Sequence, residues 1–252
     1  EILERAFAHN LLDFVHTAQV VAPNLRAAAI PCGGGVAAFL GDDSPLTTVK
    51  GAVPALSACD IETAEEFFRS HGVRRAVFEL APWTTSDAFE LLTRRDYEAV
   101  GTEDVVAQKP PFQYATPLHP VLSVSAAEWP ALMLRVNEPS ELPTWRSLVD
   151  ICAVLPGVLR LAVRDEHGVS ISCAQLVPAP DVAIFGNDAT LESARGRGAQ
   201  QATIRQRVRY ASVLRFKLAA AEVASGSTSE RNYLRCGFSV AYTRMHYARR
   251  LD

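Results

Sequence analysis

Six residues, Arg195-Gly196-Arg197-Gly198-Ala199-Gln200, separate a strand-like apolar run from a stretch with helical spacing. The run before them, 182–191, opens Val182-Ala183-Ile184-Phe185 and suits a buried strand. Beyond them, Ile204, Val208 and Ala211 recur on one side of an expected helix over 199–211. Glycines let the backbone turn tightly and aim several N–H groups into one concavity. A helix start adds unpaired donors and the positive end of its dipole. Arg195 and Arg197 add formal charge and forked hydrogen bonding. A strand, a glycine–arginine loop and a helix in immediate succession suit a phosphate-bearing ligand.

Three loop patterns compete. A dinucleotide fingerprint needs Gly-x-Gly-x-x-Gly, but Gln201 stands at the third glycine. A P-loop needs Gly-Lys-Ser/Thr, and the loop has no lysine. The third pattern is Arg/Gln-x-x-Gly-x-Gly/Ala. Arg195 and Gly198 match it, and Gln200 replaces the final small residue. For the loop alone, a solvated basic turn is an equal reading.

The surrounding charge is also consistent with an anion. Residues 195–217 hold seven Arg/Lys and no acid, in a chain of net charge −3. Arg205, Arg207 and Arg209 are expected on a solvated helix face, with Ile204, Val208 and Ala211 inward. Only Tyr210 and Phe216 lie among these arginines, which argues against stacking on single-stranded nucleic acid.

The downstream residues discriminate further. A strand is expected over 216–224 and a short helix over 228–235. Ser227-Thr228-Ser229-Glu230 reads as a capping box, and Gly237 sits where a helix-terminating glycine belongs. An alternating strand follows over 238–248. The helix closing on Gly237-Phe238, with Tyr233 five residues before Phe238, resembles the end of a GNAT-superfamily N-acetyltransferase. The resemblance is close over 182–248, holds in order of elements over 120–182, and survives as topology in 1–109.

That resemblance implies an α/β fold of two GNAT-like units, each a mixed, twisted sheet flanked by helices. It implies a degenerate domain over 1–110 without a phosphate loop, and an acetyl-CoA-binding domain over 111–252. It assigns acetyl-CoA to Arg195, Gly196, Arg197, Gly198, Ala199 and Gln200, to the strand edge Ala189, Thr190 and Leu191, and to Ser229, Asn232 and Tyr233. Tyr233 becomes the candidate general acid, and Asp188 and Glu192 the candidate bases, with a water as an equal alternative. Ala219, Ala220 and Ala221 on the facing strand are expected to leave room for the pantetheine arm. The implied reaction moves an acetyl group to a primary amine of a small molecule or peptide. A non-catalytic acetyl-CoA sensor or interaction module is the alternative.

The first half shows a similar order. Helices are expected over 63–70 and 86–94, with strands over 73–80 and 97–107. Glu79 and Tyr97 match Glu222 and Phe238, an internal repeat offset by roughly 140 residues, and both glutamates are read as structural. Hairpins are expected over 25–30 and 36–40 around Gly33-Gly34-Gly35, and over 159–163 and 169–177. Residues 125–157 read as helical, with Trp129, Leu132, Met133, Trp145, Leu148 and Ile151 in the core. Lys109-Pro110-Pro111 marks a break.

The five cysteines form no Cys-x-x-Cys pair, so no disulfide framework is expected. The six histidines lack metal-binding spacing, and no metal is expected. This cysteine pattern suits a reducing cytoplasm, and no leader or membrane segment is apparent; a monomer or homodimer without nucleic-acid or membrane partners is expected.

Overall fold

A computed structural model describes residues 1–53, 55–136 and 143–251. Residues 137–142, within the segment read as helical, lie outside the described residues. The chain forms two compact units, Glu1–Glu103 with Tyr242–Asp252, and Asp104–Ala241. By contacts the division thus falls at 103/104, not 110/111, and residues 242–252 go with the first unit. The cause is the last strand, whose second half pairs within the first unit.

The first unit opens with α1 (Ile2–Val21), which the sequence reading missed. Leu3, Phe7, Leu11, Phe14 and Ala18 recur at three- and four-residue intervals and are buried. The strands β1 (Ala28–Cys32) and β2 (Gly35–Phe39) form the expected hairpin, with Gly33 and Gly34 as its turn. Next come β3 (Thr48–Lys50), α2 (Ala58–Ser70), β4 (Arg75–Leu80) and α3 (Ser86–Arg94). Helix α2 starts five residues before the expected 63, because Ser57 and Asp60 form a reciprocal capping box. The strand β5 (Glu98–Gln108) carries the chain into the second unit.

The second unit contains β6 (Val121–Ser123), α4 (Glu128–Val136), α5 (Trp145–Ala153), β7 (Leu159–Arg164), β8 (Ser170–Ala179) and β9 (Val182–Thr190). After these come α6 (Ala199–Val213), β10 (Leu218–Ala224) and α7 (Thr228–Arg235). The last strand, β11 (Ser239–Arg250), begins in this unit and ends in the first.

Both units have a mixed sheet with helices packed on it, as expected. In the first unit the order is β1-β2-β3-β4-β11, with β3–β4 parallel and the other pairs antiparallel. In the second it is β5-β10-β9-β8-β7-β6. There β10–β9 is parallel, while β9–β8, β8–β7 and β7–β6 are antiparallel. Helix α6 packs on β7, β8 and β9 through Ile204, Val208 and Ala211, all fully buried. Trp129, Leu132, Met133, Leu148 and Ile151 are core residues, and Trp145 is half-buried.

The helices α3 and α7 end alike. Asp96 and Gly237 both take positive φ, 60° and 89°. The Tyr97 amide donates to Leu92 at 3.0 Å, and the Phe238 amide to Tyr233 at 3.2 Å. Both are six-to-one helix closures. At this corner the first unit has Leu92 where the second has Tyr233.

A buried ionic cluster occupies the first unit. Arg244 is fully buried and meets Glu4 at 2.8 Å, Glu103 at 3.0 Å and Glu79 at 3.4 Å. Lys50 pairs with Glu79 at 3.0 Å. Glu79, Glu103 and His246 bring potential metal-ligand atoms within 4.8 Å of one another. Arg244 donates to both of those carboxylates. Among the described residues, no helix is long and apolar enough to cross a membrane.

Candidate functional site

The site begins where two parallel strands part. The β9–β10 register runs from Val182↔Leu218 to Phe185↔Ala221 and stops there. Strand β9 continues to Thr190, still paired on its other edge, with Ala189 opposite Cys173 and Thr190 opposite Ser172. Between these stretches the β8–β9 register shifts, and Asn187 takes a left-handed φ of 54°. This is a β-bulge, which bends the strand and re-aims its side chains.

The bulged edge opens onto a cavity of about 510 Å³. Asp188, Ala189 and Thr190 form one wall, and Arg195, Gly196 and Gly198 the loop beneath it. The first turn of α6 follows with Ala199, Gln200 and Gln201, and α7 closes the far side with Thr228, Asn232 and Arg235. Gly198 is the N-cap of α6, at φ 81°, and no side chain caps the helix there. The first-turn amides therefore keep the unpaired donors and positive dipole end of a helix start.

Most sequence-predicted residues meet at this cavity, but several do not line it. Leu191 packs against the apolar group around Val163 and Ala199. Arg197 points outward, and its carbonyl is held by His119 Nε2 at 2.6 Å. Glu192 is exposed in a short 3-10 turn, and Ser229 lies behind the lining residues. Ala219, Ala220 and Ala221 pair with Ala183, Ile184 and Phe185 below the opening. They are packed core and not cavity wall, contrary to expectation. Gln201, Thr228 and Arg235 were not anticipated. Their signal was position, since each shares a helix start or face with a residue already singled out.

Gln200 proves to be a fastener. Its Nε2 donates to Ser229 Oγ at 2.9 Å, and its Oε1 accepts from Asn232 Nδ2 at 2.7 Å. Gln201 Nε2 donates to Asn232 Oδ1 at 3.1 Å. The amides thereby join the start of α6 to α7. The box at Ser227 is half as expected: Ser227 Oγ accepts the Glu230 amide at 3.1 Å, while Glu230 Oε2 accepts from the Gly226 amide instead of Ser227.

Behind the bulge, Tyr233 is buried and donates its hydroxyl hydrogen to Asp188 Oδ2 at 2.8 Å. Arg207 Nη2 donates to Asp188 Oδ1 at 2.5 Å. Arg207 is fully buried, which corrects its expected place on a solvated helix face. It follows Thr203 by four residues and precedes Ala211 by four, so it lies on the inward stripe. Asp188 retains 12% side-chain exposure and is the member that reaches the cavity. Burial pushes the Asp188 carboxyl up, against the opposing pull of Arg207. Burial also raises the Tyr233 hydroxyl well above the ordinary tyrosine value, and the neighbouring Asp188 adds to this.

The five cysteines are unpaired. Burial pushes the Cys152 and Cys173 thiols up to about 12, so neither is poised as a thiolate nucleophile.

No protein-family model matches the chain, and no curated protein sequence does. Solved structures do match. One is a GCN5-related N-acetyltransferase from Kribbella flavida, at TM-score 0.67 and 16% identity, over 92% of this chain and 95% of that one. Another is a tandem GNAT protein from the clavulanic acid biosynthesis pathway, at TM-score 0.66 and 10% identity, over 95% and 88%. The chain has the fold of the GCN5-related N-acetyltransferases. A GCN5-related N-acetyltransferase from Sphaerobacter thermophilus matches too, at TM-score 0.58 and 16% identity, over 76% and 66%. In this GNAT fold, the opening between β9 and β10 and the loop leading into α6 are the features the sequence singled out.

Proposed function

We propose that the protein is an acetyl-CoA-dependent N-acetyltransferase acting on a primary amine of a small molecule or peptide. The observation that carries this is the β9 edge, freed of β10 after Phe185, running directly into an uncapped helix start beside Arg195. A diphosphate suits the amides of Gly198, Ala199 and Gln200 together with the Arg195 guanidinium. A pantetheine arm suits the free edge at Ala189 and Thr190, as an added strand would. In the first unit the corresponding helix, α2, has its Ser57 and Asp60 amides engaged by each other's side chains, and no arginine–glycine loop precedes it in sequence.

Acetyl-CoA supplies the thioester whose carbonyl carbon the amine attacks. Asp188 is the candidate to take a proton from the attacking nitrogen, since it borders the cavity while Glu192 does not. Tyr233 lies behind the cavity, so its candidate acid role runs through Asp188: the carboxyl protonated by the amine gives that proton to the departing sulfur, and the Tyr233 hydroxyl bonded to Asp188 poises the carboxyl for both transfers, so both groups end as they began. Holding amine and thioester together in the cavity supplies the larger part of the rate.

The test is calorimetry with acetyl-CoA, alongside CoA release from a pooled amine library. Binding with CoA release from at least one amine is the expected result. Binding without release from any amine favours the non-catalytic module, and no binding of any acyl-CoA removes the proposal.

A further inference from the structure

We infer that Arg207 is a positioning residue of the proposed acetyl-transfer centre, holding open the bulged edge of β9 and fixing Asp188 in the pose that receives Tyr233. The inference rests on the acetyltransferase reading and adds a residue that neither the loop nor the acid–base pair requires.

The guanidinium serves four acceptors on three elements. Its Nε donates to the Thr203 carbonyl in α6 at 3.3 Å. Nη1 donates to the Gln175 carbonyl in β8 at 2.9 Å and reaches the Gly186 carbonyl in β9 at 3.5 Å. Nη2 takes Asp188 at 2.5 Å. Only a planar fork of five donors meets so many acceptors from one side chain.

The location of these acceptors makes the arrangement specific. Gly186 is the first β9 residue beyond the last pair with β10. Gln175 stands opposite it at the register shift. The Gln175 side chain accepts from Asn187 Nδ2 at 2.7 Å, and its Nε2 donates to Cys152 O at 2.9 Å. Arg207 thus supplies hydrogen bonds where the sheet withdraws them, and its Cζ lies 4.7 Å from the Phe185 ring centroid. A buried ion pair is by itself weak evidence for stability. A buried cation placed at the point where a strand leaves its partner accounts for how an open edge persists.

The experiment compares wild type with Arg207→Lys, which keeps the charge and loses the fork. Wild type comes first: if it neither binds acetyl-CoA nor releases CoA, the acetyltransferase reading fails. If it does both, R207K is expected to lower kcat per folded molecule by about 10- to 100-fold. Its acetyl-CoA Kd is expected to stay within about threefold, because the diphosphate site lies about two helical turns away. An unchanged kcat per folded molecule with only a lower Tm makes Arg207 purely structural and overturns the inference. If R207K does not fold, the neutral double variant D188N/R207Q is compared with D188N. The double variant is expected to be about tenfold slower still, and equal kcat and Kd in the two overturn the inference.

Discussion

Asn232 Nδ2 donates to Gln200 Oε1 across 2.7 Å, joining α7 to the first turn of α6. The carboxamide at the position where a small residue was expected is therefore spent on α7. Gln200→Ala removes this bond and the one to Ser229. The expected cost is about 1–3 kcal/mol, read as a Tm lower by several degrees. Acetyl-CoA affinity is expected to fall as the cavity wall loosens. Tighter binding in Q200A would mean that the side chain obstructs the ligand.

Tyr233 and Asp188 are the pair through which the proposed proton transfer runs. Tyr233→Phe is expected to lower kcat by about 10²–10⁴-fold while acetyl-CoA binding stays near wild type. The two quantities are read from CoA release and calorimetry. Equal turnover in the two proteins removes the acid role.

The two loop arginines are not equivalent. Arg195 lines the cavity, whereas Arg197 points outward beside His119. Arg195→Ala is expected to weaken acetyl-CoA binding by about tenfold or more. Arg197→Ala is expected to change it by less than about threefold. Both follow from titration at constant salt, and the reverse order contradicts the geometry.

Glu65 controls an acid-sensitive part of the first unit. Its buried carboxylate meets Arg95 at 3.0 Å, and Arg69 and Arg249 each at 3.3 Å. Burial alone pushes this carboxyl up, but the hydrogen bond and charge of Arg95, with Arg249 and Arg69, outweigh it and leave it lowered. A carboxylate lowered on folding stabilises the protein above its unfolded value, about 4.3. That stabilisation is lost as pH falls through the lower folded value. Thermal melts are expected to show wild type more stable than Glu65→Gln at pH 7, with the gap closing below about pH 4. A gap that holds constant with pH contradicts this.

Much of the fold was legible because local periodicity and end signals agree. The span of α7 matches the expectation, as the Ser227 cap and Gly237 terminus dictate. The end of α2 was read correctly and its start was not, because the Ser57–Asp60 box went unrecognised. Arg207 was assigned to solvent because its charge outweighed its place on the stripe of Ile204 and Val208. Nothing near it in sequence announces the acceptors contributed by β8 and β9.

The sequence by itself determined the strand, the glycine–arginine loop and the helix start, since these depend on backbone freedom, charge and periodicity within about twenty residues. It also determined that Tyr233 would sit on a short helix five residues before Phe238. Only the tertiary structure decided that β9 leaves β10 after Phe185, that Gln200 reaches α7, and that Arg207 and Asp188 pair inside the unit. Those outcomes depend on contacts between residues tens of positions apart. Whether a buried charge or amide is tolerated is settled by the partner that folding brings to it.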